Sequence, residues 1–305
     1  MRIAKDGQTI SSIEDWKRFA PPKREYQWDE GHSAFELARA WCGTGTTRMP
    51  DGLLALFDSR EETRGLSVDS VTPEHRIPFD THGGEPRNAD LAFVGRTATA
   101  MVAVTIEAKA DEPFGATVAQ TMTEALERLI TNPGSHGVMR VADLVQSILP
   151  VRGKGQAKAG ELRYQLLTAV AGSLAYARET GASISVLVIH EFVTNKTRDT
   201  SRAKNEEDYR AFVHRLAGVL PGAHEPTPRL GLFTVPGVPL FGSGSRLLIG
   251  KLVTDCRTAQ TACPLSERLR GGTPRSEHSL SGFPRNGLDD VGGLSFWKTA
   301  PAEER

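Results

Sequence analysis

The spacing of hydrophobic and polar positions changes several times along the chain, and each change predicts an element. In SAFELARAW (33–41), Ala34, Leu37, Ala38 and Trp41 recur at helical spacing, which predicts an amphipathic helix ending near Gly43. Ser33 is placed to cap it, with Glu36 at the capping-box position. Upstream, SSIEDW starts a short element at Ser12, with Asp15 three residues on, and the prolines of PPK break it. Residues 1–28 read as an N-terminal arm.

From 50 to 110 the pattern is one of strands and turns. LLALF (53–57) predicts a strand and RIPF (76–79) a weak edge strand. ADLAFVG and MVAVTIEA, joined by the short polar RTATA, predict a hairpin. A helical pattern then runs from Ala116 to about Thr131, is stopped by NPGSHG, and is followed by a short helix in VADLVQSIL. The glycine-rich, basic VRGKGQAKAGE predicts a mobile loop. LRYQLLTAVAGSLAYARETG predicts a long helix stopped by Gly181. ISVLVIHEF is continuously apolar, as a strand covered on both faces must be. A helix in DYRAFVHRLAGVL and a last strand in SRLLIGKLVTD complete the body, 29–256. Residues 257–305 are rich in Ser, Gly, Pro, Arg and Thr and predict a disordered tail, protease-sensitive and dispensable for folding. The sum is an α/β layered fold with a mixed sheet flanked by helices.

Composition narrows the function classes. The 305 residues suffice for one large core, and Lys+Arg and Asp+Glu both total 37, so any electrostatic footprint is local. Cys42, Cys256 and Cys263 have no metal-binding spacing and form no disulfide framework. The N-terminus lacks an apolar signal region and no run approaches a membrane span. A cytoplasmic protein without a membrane partner is expected.

The hairpin carries the chemistry. The apolar VAVTI ends, without a turn, in Glu107, Ala108 and Lys109. A turn midpoint between Thr97 and Ala98 sets Asp90 across from Thr105, so that Asp90, Glu107 and Lys109 share one face at one end of the sheet. Two neighbouring carboxylates repel unless a cation or a shared proton intervenes. Mg²⁺ (or Mn²⁺) takes oxygen ligands, lowers the pKa of a bound water and offsets phosphoryl charge. A lysine beside it orients that water or stabilises the transition state. Asp90 and Glu107 are therefore the expected metal ligands and Lys109 the water-positioning group. Replacing either carboxylate is expected to relieve repulsion and leave the fold intact.

NADLAFVG…VAVTIEAK resembles the active-site core of the PD-(D/E)XK, restriction-endonuclease-like nuclease superfamily. The resemblance implies a three-layer fold around a mixed sheet and a metal-dependent nuclease, with nucleic acid, DNA before RNA, as partner. Asp90 matches the motif's aspartate, Glu107 its (D/E) and Lys109 its lysine; Ala89 stands where the family has proline. Many members add a glutamate from the first core helix, and Glu36 is the matching position. The helical wheel instead sets Glu36 opposite the apolar stripe, on a solvent face or as capping partner of Ser33. Exonuclease-type relatives carry a glutamine and a tyrosine on a later helix. Gln165 and Tyr176 match, with the small Ala169 and Gly172 between them on one stripe, which alternatively packs helix on sheet.

Glu112 follows the motif as a neighbouring acidic group or a helix-start residue. Backbone phosphates are expected at two basic loops, one with Arg152, Lys154 and Lys158, the other with Lys196, Arg198, Arg202 and Lys204, each alternatively a solvated surface. His190 reads as a core histidine, and His32, His75 and His82 have no metal spacing. GTGTTR and GSGSR lack the lysine of a phosphate-binding loop. Two rivals stand beside the nuclease: a non-catalytic nucleic-acid-binding or structural module on the same fold, and a glycosidase using both carboxylates. Lys109 argues against the glycosidase, because an ammonium depresses the pKa that a general acid needs.

Overall fold

The computed structural model describes residues 1–43, 45–217 and 229–257, all within a unit running Met1–Thr261. Beyond Arg257 the expected tail lies outside the described residues. The chain begins with β1 (Arg2–Lys5), β2 (Gln8–Ile10), α1 (Ile13–Phe19), α2 (Ser33–Cys42) and α3 (Asp51–Asp58). It continues with β3 (Ser67–Ile77), β4 (Arg87–Arg96), β5 (Met101–Lys109), α4 (Val118–Thr131), α5 (Gly137–Ile148) and α6 (Tyr164–Thr180). The last elements are β6 (Ile184–Val193), α7 (Asp199–Ala217), β7 (Gly231–Val235) and β8 (Ser245–Asp255). All the strands join one mixed eight-stranded sheet in the order β2-β1-β3-β4-β5-β6-β8-β7, with β5, β6 and β8 parallel at its centre.

Helices cover both faces, giving the expected three-layer α/β fold. On one side, Trp16 of α1, Leu37 and Trp41 of α2, and Leu53, Leu56 and Phe57 of α3 pack on Val102, Val104 and Ile106 of β5. On the other, Leu144 and Ile148 of α5, Leu166 and Val170 of α6, and Phe212 of α7 pack on Ala103, Leu187 and Ile189. The central strands are buried along nearly their whole length, which explains their unbroken apolar sequence. Helix α6 is buried continuously from Leu166 to Ala177 and closes at Gly181. That glycine sits at φ 68, where a side chain is disfavoured, and the Ala182 N–H donates back to the Ala177 carbonyl at 2.9 Å.

Three expectations need correction. LLALF is not a strand but the body of α3. Leu53, Leu56 and Phe57 fall at i, i+3 and i+4 and are buried, whereas Leu54 is 41% exposed, and Pro50 supplies a fixed φ at the helix entry. Of RIPF only Arg76 and Ile77 are in a strand, ending the eleven-residue β3, whose polar, half-exposed positions hide its alternation. The first 28 residues do more than form an arm: β1 pairs in parallel with β3, β2 with β1, and Trp16 is core. Ser12 does cap α1, its hydroxyl accepting from the Asp15 N–H at 3.1 Å.

Candidate active site

The site forms where β4 and β5 part. Their ladder runs from Arg96↔Met101 to Leu91↔Ile106 and stops there. Two residues past Ile106, the Ala108 N–H donates instead to the carboxylate of Asp90, the residue before Leu91, at 2.6 Å from Oδ2. A side chain thus takes the place of a backbone acceptor and keeps a buried amide satisfied. Thr105 pairs with Ala92, not with Asp90, so the expected register is off by two residues. A displacement of two preserves the face because side chains alternate with period 2, and Asp90 moves closer to Glu107 than expected.

Glu107 is 2% exposed, and both its oxygens face donors. Oε1 accepts from the Lys109 ammonium at 2.8 Å and from the Gln165 amide at 2.7 Å, while Oε2 pairs with the Arg87 guanidinium. Lys109 is also buried, lies 5.5 Å from the centre of the Phe114 ring, and has Glu112 Oε1 at 4.0 Å. Glu112 Oε2 accepts from the Ala110 and Asp111 N–H groups. These residues line an open cleft of about 510 Å³, shared with Gln27, Ser33 and Tyr164.

Burial sets the protonation of the cluster. It pushes the Asp90 carboxyl above its ordinary value, against the opposing pull of Lys109 and Arg87. The Lys109 ammonium is lowered by burial, with Glu112 and Asp90 partly offsetting it. Glu112 is pushed up by burial, but the Lys109 charge and the Ser33 hydroxyl bring it below the usual carboxylate range. Glu74, on β3 with φ 50, rises to about 8 through burial and the charge of Asp90. The site is therefore a mixed cluster of Asp90, Glu107 and Glu112 against Lys109 and Arg87, with Glu74 close enough to feel it.

Among the described residues no three His, Cys, Asp or Glu side chains are gathered as a ready metal site. Mg²⁺ needs less, since one or two carboxylates and water suffice. Asp90 spends only Oδ2 on Ala108, no described residue donates to its Oδ1, and the adjoining cleft has room for water and a phosphate. The all-oxygen donors fit a hard divalent ion, which Asp90 would hold through Oδ1 and Glu107 through Oε2 once Arg87 is displaced from it.

The other expected residues divide. Gln165, in the first turn of α6, reaches Glu107, and that helix start favours an anion. Tyr176 lies eleven residues on, about 16 Å along the axis, with its ring edge-on to His75 at 5.2 Å, away from the cleft. Glu36 is neither solvent-facing nor a partner of Ser33. It is 1% exposed, Oε1 accepts from the Gly31 N–H at 2.9 Å, Oε2 pairs with Arg39, and it does not line the cleft. His190 is a core histidine, fully buried, with Nε2 2.9 Å from Thr254 Oγ1.

The basic loops do not line the cleft either. Lys196 packs on Gly31, Lys204 pairs with Glu207 and Asp208, and Lys158 is 3.9 Å from Glu161, while Lys154, Arg198 and Arg202 belong to exposed or half-exposed segments. Within the glycine-rich segment 151–158, Gln156 is an anchor, 4% exposed and donating to the His214 carbonyl at 2.7 Å.

Arg87 escaped the sequence reading. Its signal was Gly172 within the stripe of small residues on α6. A Cβ there would fall 2.8 Å from Arg87 Cγ, so the missing side chain is the space through which Arg87 reaches Glu107. Gln27 and Ser33 were also missed as cleft walls, because only the tertiary fold brings the N-terminal segment over the sheet end.

Comparison with known proteins gives one finding. A family model described as Domain of unknown function (DUF6946) matches residues 9–242. No curated protein and no solved structure matches the chain.

Proposed function

The chain belongs to the DUF6946 family, and from the geometry of its cleft we propose that it is a metal-dependent nuclease of the PD-(D/E)XK type, with DNA as the first substrate to test. One observation carries the reading: Asp90, Glu107 and Lys109 converge at the mouth of an open cleft, and Gln165 fixes the Glu107 carboxylate. A bound Mg²⁺ or Mn²⁺ supplies charge neutralisation at the scissile phosphate and a water of lowered pKa. Asp90 and Glu107 would hold it. Lys109, paired with Glu107, orients the attacking water or offsets charge on the phosphoryl oxygens. Gln165 and Arg87 keep Glu107 in one rotamer, and Glu112 balances Lys109. Among the described residues no helix is long and apolar enough to cross a membrane. We place the protein's work in the cytoplasm, where the free thiols Cys42 and Cys256 stay reduced.

A second reading has its own support. Arg87 already meets Glu107 Oε2, so the pairing that a metal ligand gives up on loading is in place. A non-catalytic nucleic-acid-binding module would keep that pair permanently. Incubating the protein with plasmid, linear duplex, single-stranded DNA and RNA in Mg²⁺, Mn²⁺ or Ca²⁺ separates the two. The nuclease cuts at least one substrate in Mg²⁺ or Mn²⁺, poorly in Ca²⁺, and stops with chelator. Tight binding with no cleavage in any ion selects the module.

A further inference from the structure

At the mouth of the cleft one aromatic ring faces outward on a braced support. Tyr26 stands in the short 3-10 turn Glu25–Trp28 and is 54% exposed. The turn around it is well held. The Arg24 N–H donates to Gln27 Oε1 at 3.1 Å, and the buried Trp28 ring meets Phe35 edge-on at 5.9 Å between centres. Trp28 and Phe35 do the packing here. The burial that normally rewards an aromatic side chain is therefore not what places Tyr26.

Behind the ring stands a histidine that is itself fixed. The His32 and Tyr26 rings meet edge to face, 6.1 Å between centres at 73°. His32 Nδ1 lies 2.9 Å from Asp111 Oδ1, and because a carboxylate only accepts, Nδ1 is the donor. The Asp111 N–H donates in turn to Glu112 Oε2 at 3.2 Å, and Glu112 Oε1 faces Lys109 at 4.0 Å. Tyr26, His32, Asp111, Glu112 and Lys109 thus form one connected row from the surface to the proposed site. Three members or neighbours of the row line the cleft: Gln27 beside Tyr26, Ser33 beside His32, and Glu112 itself. Nearby charges are paired within the protein, Glu30 with Arg39 and Lys23 with Glu85, so neither sign dominates beside the ring. An edge-to-face contact occupies at most one face of Tyr26, and its exposure leaves a face open to a stacking partner.

We propose that Tyr26 is a stacking platform for an unpaired nucleobase of a strand whose backbone enters the cleft, with His32, held by Asp111, fixing the angle of the ring. The proposal rests on the nuclease reading and narrows its substrate to single-stranded DNA or an unpaired end, because a base inside a duplex has both faces covered by its neighbours. Aromatic side chains stack on any base, so the platform adds affinity without sequence preference. The test is fluorescence anisotropy of the full chain in Ca²⁺, where cleavage is poor. The probes are a labelled single strand of about eight nucleotides, the same strand made of abasic sites, and a blunt duplex. Tyr26→Ala weakens binding of the single strand about tenfold, whereas Tyr26→Phe binds as wild type does. His32→Ala gives a smaller loss in the same direction. Abasic strand and duplex bind wild type and Tyr26→Ala alike, and the unfolding transition of Tyr26→Ala is unchanged. The proposal is overturned if Tyr26→Ala binds the single strand as well as wild type, or if it loses as much on the abasic strand. Cleavage assays run beside these keep the two ideas apart. If wild type cuts and Tyr26→Ala binds normally, the platform falls and the nuclease reading stands. If Tyr26→Ala loses the single strand while wild type cuts nothing in any ion, the platform stands on a non-catalytic module. A wild type that neither binds nor cuts any strand removes both.

Discussion

The two faces of β5 are made from alternate residues of one strand and do different things. Toward α2 and α3 it presents Val102, Val104, Ile106 and Ala108, all in the apolar layer with Trp41 and Phe93. Toward α6 it presents Ala103, Thr105, Glu107 and Lys109, increasingly polar to the strand's end. The first face is satisfied by contact alone, whereas the second needs a partner for every group and finds them in Gln165, Arg87 and Glu112. Stability and chemistry are thus divided by the pleat of a single strand.

That division can be attacked from the apolar side first. Trp41 is fully buried and lies 6.0 Å ring to ring from Phe93, so Trp41→Ala should cost about 3–5 kcal/mol in denaturant unfolding. If the proposed nuclease reading holds, what remains folded should still cleave only with Mg²⁺ or Mn²⁺. If Trp41→Ala instead abolished cleavage at full stability, the two faces would not be independent.

On the polar face, Asp90→Asn and Lys109→Ala should each lower cleavage by about 100-fold or more, far from additively in combination. Asp90→Asn should also weaken Mn²⁺ binding, which Lys109→Ala should not. Asp90→Asn should leave unfolding nearly unchanged, since burial already disfavours its charge. Glu107→Gln differs from the expectation drawn from repelling carboxylates. Its neighbours are Arg87 and Lys109, so neutralising it strands two buried cations and should destabilise the fold as well. Equal melting of Asp90→Asn and Glu107→Gln would contradict this.

A pH titration sharpens the contrast from the apolar layer. Burial lowers His190 to about 3, below its unfolded value near 6.5. Between those values the unfolded chain binds the extra proton, so stability is full above pH 6.5 and falls as pH drops. From pH 7 to 5 this one group should remove about 2 kcal/mol, and His190→Gln should flatten that part of the profile. Parallel profiles for the two proteins would show the assignment to be wrong.

The mildest change is Gly172→Ala. Its Cβ must displace the flexible Arg87 side chain, at about 1 kcal/mol, with a larger fractional loss in cleavage than in stability because Glu107 loses its anchor. Stability loss without any kinetic change would make Gly172 a packing residue only.

The sequence carried the central strands, α2, α6 and the Asp90/Glu107/Lys109 convergence because each rests on periodicity, and an error of two residues in the turn leaves a period of two intact. Its errors have physical causes. LLALF has a strand's composition at a helix's spacing, and β3 is too polar to announce itself. Arg87 takes its role from a partner distant in sequence, and Glu36 from a loop amide as well as from Arg39, so the burial of neither is encoded in a local pattern.

The turn from Thr97 to Ala100, closed by the Thr97 N–H donating to the Ala100 carbonyl at 2.9 Å, sits at the far end of the hairpin from the cleft. Seven residues of strand, about 23 Å, separate Ala100 from Glu107. That distance makes the turn a natural attachment point. A fluorophore or short inserted peptide there reports on the molecule without entering its cleft, whereas one residue added or removed anywhere within β5 turns Glu107 and Lys109 toward the tryptophan layer. The same hairpin is thus permissive at its tip and intolerant along its shaft.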